Sequence, residues 1–127
     1  MNREELRKRL LATFRDEAAE HLQVLSEELD AILADPQTAQ AGQRLETLFR
    51  VMHTLKGAAR SVQFTQIEQV CQDCEVELRA VTRREKPLTQ AFLDRLVDAT
   101  DKLRRAIEAS ASPASTGREE PAPPSPP

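Results

Sequence analysis

Two histidines occur in the chain, and one of them stands in an unusual setting: His53-Thr54-Leu55-Lys56-Gly57. The surrounding residues are strongly helical in pattern, yet the stretch carries a glycine, which costs about 1 kcal/mol relative to alanine inside a helix. Gly57 lies one turn after His53, so the two share a helix face, with Lys56 between them. A neutral imidazole nitrogen is a competent nucleophile near neutral pH. A lysine three residues on can compensate charge on an attached phosphoryl group. A missing side chain leaves room for a large partner. The chemistry suggested is covalent capture of an electrophile on His53, handed over by another macromolecule.

Four helical blocks are expected to position these residues. The first runs from about Arg3 to Leu33, with Leu6, Leu10, Phe14, Leu22, Leu25, Leu29 and Ile32 at three- and four-residue steps. Asp35-Pro36 closes it, because the residue before proline is pushed out of the helical region. The second runs from about Gln40 to Ser61, with Leu45, Leu48, Phe49, Met52, Leu55, Ala59 and Val62 as its apolar stripe. Thr65-Gln66-Ile67-Glu68 reads as a capping box opening the third, which extends to about Arg84. After Pro87, Thr89 is the expected N-cap of the fourth, with Leu88 and Leu93 as a hydrophobic staple. That helix continues through Leu96, Leu103 and Ile107 to about Ala109. Short connections make successive helices antiparallel. The expected fold is all-α: an antiparallel four-helix bundle over residues 1–110.

At roughly 100° per residue, His53 falls about 120° from the centre of the second helix's stripe, on the flank or outside. Gly57 shares that flank, and Arg60 is nearby. Lys56 lies at the stripe's edge, where its stem can run along apolar surface with the ammonium in water. On the third helix Glu75 falls about 80° from the apolar centre. A flank glutamate and a flank histidine on antiparallel neighbours are expected to meet across the groove. Such a carboxylate fixes the tautomer and leaves the other ring nitrogen with its lone pair.

Composition narrows the alternatives. The chain has 127 residues, so one domain is the default. Net charge is −3 with both signs interspersed, which argues against nucleic acid as a partner. No apolar run is long enough to span a membrane, and Met1–Leu11 lacks the apolar core of a signal peptide. The expected location is the cytoplasm, with Cys71 and Cys74 reduced. Their C-x-x-C spacing suits a redox pair or half a metal site, but both fall on the apolar stripe and no second pair exists, so they are assigned to the core. His21 is assigned as a solvated residue. Glu17 and His21 are four apart and miss the Glu-x-x-His spacing of di-iron bundles. Runs such as Arg83, Arg84 and Glu85 read as solvated faces, and phosphate loops and serine-hydrolase elbows are absent. From Ser110 onward Ala, Ser and Pro dominate. Residues 111–127 therefore read as a disordered linker. A chain that opens at Met and stops within such a linker reads as the first domain of a longer protein.

His53-Thr54-Leu55-Lys56-Gly57-Ala58-Ala59-Arg60-Ser61-Val62 resembles the signature of histidine-containing phosphotransfer (HPt) domains, and most closely the amino-terminal HPt domain of CheA-like chemotaxis histidine kinases. Nearly all of residues 1–110 takes part: the Phe14-Arg15-Asp16-Glu17-Ala18 start, the His-x-x-Lys-Gly helix, the Phe64-x-x-Ile67 junction and the Pro87-Leu88-Thr89 turn. The resemblance implies that His53 is the phosphoacceptor, flanked by Lys56 and Gly57, with Glu75 hydrogen-bonded to the histidine. It implies a relay: a kinase ATP-binding domain, expected in the same longer chain, phosphorylates His53, and a response-regulator receiver domain takes the group onto an aspartate using its own Mg²⁺. The domain itself is then a monomeric phosphocarrier without a cofactor, not an enzyme. Gln72 stands where chemotaxis kinases often carry a second histidine. Gln63 replaces a glycine common before the Phe, which implies a different backbone in that turn. Two other readings are a helical interaction module that works without phosphorylation and a metal-binding bundle using His21, His53 and the cysteines.

Overall fold

The computed structural model describes residues 2–110. They form four helices: α1 (Arg3–Ala34), α2 (Ala41–Ser61), α3 (Thr65–Thr82) and α4 (Gln90–Ala109). Each packs on two neighbours in a closed ring: α1 on α2, α2 on α3, α3 on α4, and α4 back on α1. Diagonal helices make no close backbone approach among the described residues, and meet only through side chains in the core. This is the four-helix bundle the apolar periodicity called for. The linker expected at 111–127 lies outside the described residues.

The core fills the space between the four stripes. Leu25, Ile32, Leu48, Leu55, Leu78 and Leu103 are fully buried within it. Near the α2–α3 turn, Phe14 meets Phe64 edge-on, with ring centroids 5.3 Å apart and planes at 75°, a favourable arrangement of two aromatic quadrupoles. Leu6 and Leu10, expected in this core, are instead 48% and 49% exposed. Helix length explains the difference. At 1.5 Å per residue, the 32 residues of α1 reach about 48 Å, against about 31 Å for the 21 residues of α2. The first turns of α1 overhang the bundle, and its first buried side chain is Leu11. Within the described residues no helix is long and apolar enough to cross a membrane.

The helix ends show how local chemistry sets the register. Asn2 and Glu5 form a reciprocal capping box at the start of α1. Thr89 caps α4 by accepting from the Phe92 amide at 3.1 Å, with Leu88 packed on the core and Leu93 buried. The capping box expected at Thr65 does not form: Thr65 is already helical, and Phe64 occupies the N-cap position without a side-chain cap. The preceding turn forces this. Gln63 and Phe64 donate backwards to the carbonyls of Arg60 and Ala59, at 3.0 and 2.9 Å, closing α2 as a Schellman motif. Phe64 is thereby driven into the core, and α3 starts one residue early. Gln63 takes φ 64°, the left-handed region that favours glycine, so the turn keeps a glycine-type backbone with a glutamine in it. The same motif ends α3 at Thr82, two residues short of expectation, with Arg84 at φ 61°.

Candidate functional site

The most extensive interface is α2 on α3, and its outer edge carries four cross-helix contacts that ascend α2 as they descend α3. The Arg79 guanidinium lies 4.0 Å above the centre of the Phe49 ring. Next, His53 Nδ1 stands 3.2 Å from Glu75 Oε2. Lys56 Nζ donates to Gln72 Oε1 at 2.9 Å and lies 3.1 Å from both Glu75 oxygens. Arg60 Nε donates to Glu68 Oε2 at 2.8 Å. The three- and four-residue steps of two antiparallel helices produce this ladder.

Glu75 and His53 meet as the helical geometry required, but Glu75 is deeper than a flank position suggests. It is only 8% exposed. A carboxylate so placed needs partners to remain charged. Lys56 supplies the charge and His53 an N–H. Because the carboxylate accepts, the His53 proton resides on Nδ1, and Nε2 keeps its lone pair. The imidazole side chain is 64% exposed. Nδ1 and Nε2 flank Cε1 and point in widely divergent directions, so with Nδ1 bound to Glu75 the other nitrogen is left free of that contact on a largely exposed ring.

Lys56 differs from expectation. Its side chain is 18% exposed, and its ammonium is held by Glu75 and Gln72 instead of standing free in water. The head is drawn along the groove by the carboxylate. Gly57 is exposed, and a methyl group added there would meet nothing within 4 Å. The surface beside His53 is therefore bare backbone on that side.

Sequence reasoning missed three contributors. Gln72 registered only as a departure, yet it holds the lysine. Phe49, counted as a stripe residue, is half-buried and lies parallel to the His53 ring, with centroids 6.3 Å apart and planes at 12°. Arg79 went unremarked. Their spacings, four before His53 and four after Glu75, were the available signal.

The other candidates separate from this site. His21 is half-buried on α1. Cys71 and Cys74 are buried and unbridged. Burial, with help from neighbouring negative charge, pushes both thiols up to about 12, so neither offers a thiolate near neutral pH. Among the described residues no group of three His, Cys, Asp or Glu side chains is placed to hold a metal.

Comparison with known proteins bears on the family and the fold. The family model of the Hpt domain matches residues 9–109. Chemotaxis protein CheA of Bacillus subtilis (strain 168) is 32% identical over 98 residues, 77% of this chain and 14% of that protein. A gliding motility regulatory protein of Myxococcus xanthus is 35% identical over 103 residues, 81% of this chain and 13% of that protein. The chain thus spans about one seventh of the length of these relatives. The CheA phosphotransferase domain from Thermotoga maritima superposes with a TM-score of 0.75 at 27% identity, covering 88% of this chain and 100% of that one. The phosphorylated P1 domain of CheA3 in complex with CheY6 from R. sphaeroides gives the same TM-score at 28% identity, covering 86% and 81%.

Proposed function

The chain belongs to the Hpt domain family, and from that premise we propose that His53 is its phosphoacceptor and that Glu75, Lys56 and Gly57 serve it. An Hpt domain is a phosphotransfer domain, a carrier and not a catalyst by itself. The observation that supports the site is the half-fixed ring: Nδ1 tied to Glu75 at 3.2 Å while the imidazole stays exposed.

In the proposed relay, the Nε2 lone pair attacks the γ-phosphorus of ATP held by a kinase domain. An N–P bond forms, the bond to the bridging oxygen breaks, and ADP leaves. The imidazole gains positive charge, which Glu75 offsets through the Nδ1–H. In the second step a receiver aspartate, with a Mg²⁺ on the receiver, attacks phosphorus and the N–P bond breaks. The lone pair returns to Nε2. Lys56 balances Glu75 in the resting state and stands one turn after His53 on α2, from where it would compensate charge on the phosphoryl group. Gly57 gives both partners room to approach. The phosphorylated P1 domain solved with CheY6 supports a receiver as the acceptor. We place the kinase domain in the same longer chain, working in the cytoplasm, on the resemblance to chemotaxis protein CheA, of which this chain spans 14%.

The test is labelling with γ-labelled ATP and a CheA-type kinase core. Label is expected to be acid-labile and base-stable, and to vanish in His53→Gln while the melting curve stays near wild type. Label that persists in that variant refutes the assignment.

A further inference from the structure

We propose that Phe49, held by Arg79, is a positioning residue that sets the plane of the His53 imidazole for phosphoryl transfer. The proposal rests on His53 being the phosphoacceptor and deepens that reading.

A single hydrogen bond does not orient a ring. The covalent bond at Cβ and the contact from Nδ1 to Glu75 hold two points of the ring, but coupled changes in χ1 and χ2 can still tilt it and displace Nε2. At 64% exposure, bulk packing does not stop it. In-line attack tolerates little such motion, since small misplacements of a nucleophile are costly in rate. A second restraint is a neighbouring aromatic ring. Phe49 sits one turn earlier on α2, and its ring is 12° from parallel with the imidazole at 6.3 Å between centroids. That is an offset stack, within the range in which aromatic rings attract. Hydrogen bond and stack together define a plane.

Phe49 is in turn held in place. Its ring packs on the core, and the Arg79 guanidinium covers it at 4.0 Å, a cation–π geometry. Arg79 forms no ion pair among the described residues. It lies one turn from Glu75 on α3, so one short segment of α3 supplies both restraints, the carboxylate directly and the guanidinium through Phe49. In this proposal Phe49 acts on the reaction only through His53.

The experiment uses the full chain as the substrate of a CheA-type kinase core, with ¹⁵N and ¹H spectra of the His53 ring recorded alongside. Phe49→Leu keeps apolar volume on the core and removes the flat face. Its kcat as substrate should fall about 3- to 10-fold, the range of one aromatic pair, with little change in KM. Arg79→Met should cost about 2- to 5-fold, and Phe49→Tyr should retain wild-type behaviour. In Phe49→Leu the His53 ring proton shifts should move toward unstacked values. The ring measurement is independent of transfer. If His53→Gln still labels, the phosphoacceptor reading fails whatever the spectra show. If His53→Gln is silent but Phe49→Leu keeps both its kcat and its ring shifts, only the positioning role falls. A loss confined to KM makes Phe49 a docking contact and overturns the proposal. Should Phe49→Leu fold poorly, Arg79→Met decides, because an exposed arginine can change without opening the core.

Discussion

Gly57 allows stability and function to be pulled in opposite directions. It is an exposed residue in the interior of α2, and a Cβ built there meets nothing within 4 Å. Gly57→Ala therefore carries no clash, and the helix gains the propensity difference of about 1 kcal/mol. At roughly 2.1 cal/mol/K per residue, a folded unit of about 110 residues has an unfolding entropy near 0.23 kcal/mol/K, so Tm should rise by about 4 °C. Gly57→Leu should gain nearly as much, since leucine is close to alanine in propensity. Phosphotransfer should decline along the series Gly, Ala, Leu, because each added carbon stands where a partner backbone must approach His53. Circular dichroism melts give the first quantity. Transfer from the phosphorylated domain to a receiver, followed by rapid quench, gives the second. A lower Tm in Gly57→Ala would contradict the open surface, and equal transfer rates across the series would contradict the steric role.

Three further outcomes are expected. Glu75→Gln should slow phosphorylation of His53 by about 10- to 100-fold, equivalent to one charge-assisted hydrogen bond. The bundle should remain folded, as Lys56 keeps Gln72 and a path to water; an unchanged rate dismisses the orienting role. Gln63→Gly should stabilise the domain by about 1 kcal/mol, because it relieves a side chain at φ 64°. A lower urea midpoint would show that the glutamine side chain matters more than the backbone. Cys71 and Cys74 make stability fall at high pH. Their thiols ionise near 9 in the unfolded chain and near 12 when buried. The unfolded state thus releases protons first, and stability present below pH 9 is lost between 9 and 12, by up to about 1.4 kcal/mol per pH unit for each thiol. Replacing both by alanine should flatten that decline in urea midpoints measured from pH 8 to 11; an identical slope refutes the assignment.

Much of the molecule was written locally. Apolar residues at three- and four-residue steps determined four helices, and short connections determined that neighbours run antiparallel. Helical angles put His53 and Glu75 on flanks that face each other, and that pairing formed because both angles are properties of single helices. The family signature around His53 is equally local. Tertiary structure decided what depends on where helices end and on competition between side chains. Leu6 and Leu10 follow the core period, yet only the shorter length of the neighbouring helices leaves them without cover. Thr65 has the right residues for a cap, but the burial of Phe64 in the preceding turn claims its place. A stripe-edge position put the Lys56 ammonium in water; the nearly buried carboxylate of Glu75 draws it in instead, since an ion leaving water must find its counter-charge. The stack of Arg79 on Phe49 and Phe49 beside His53 joins residues of two helices, and no one-dimensional period encodes the rotamers that bring them face to face.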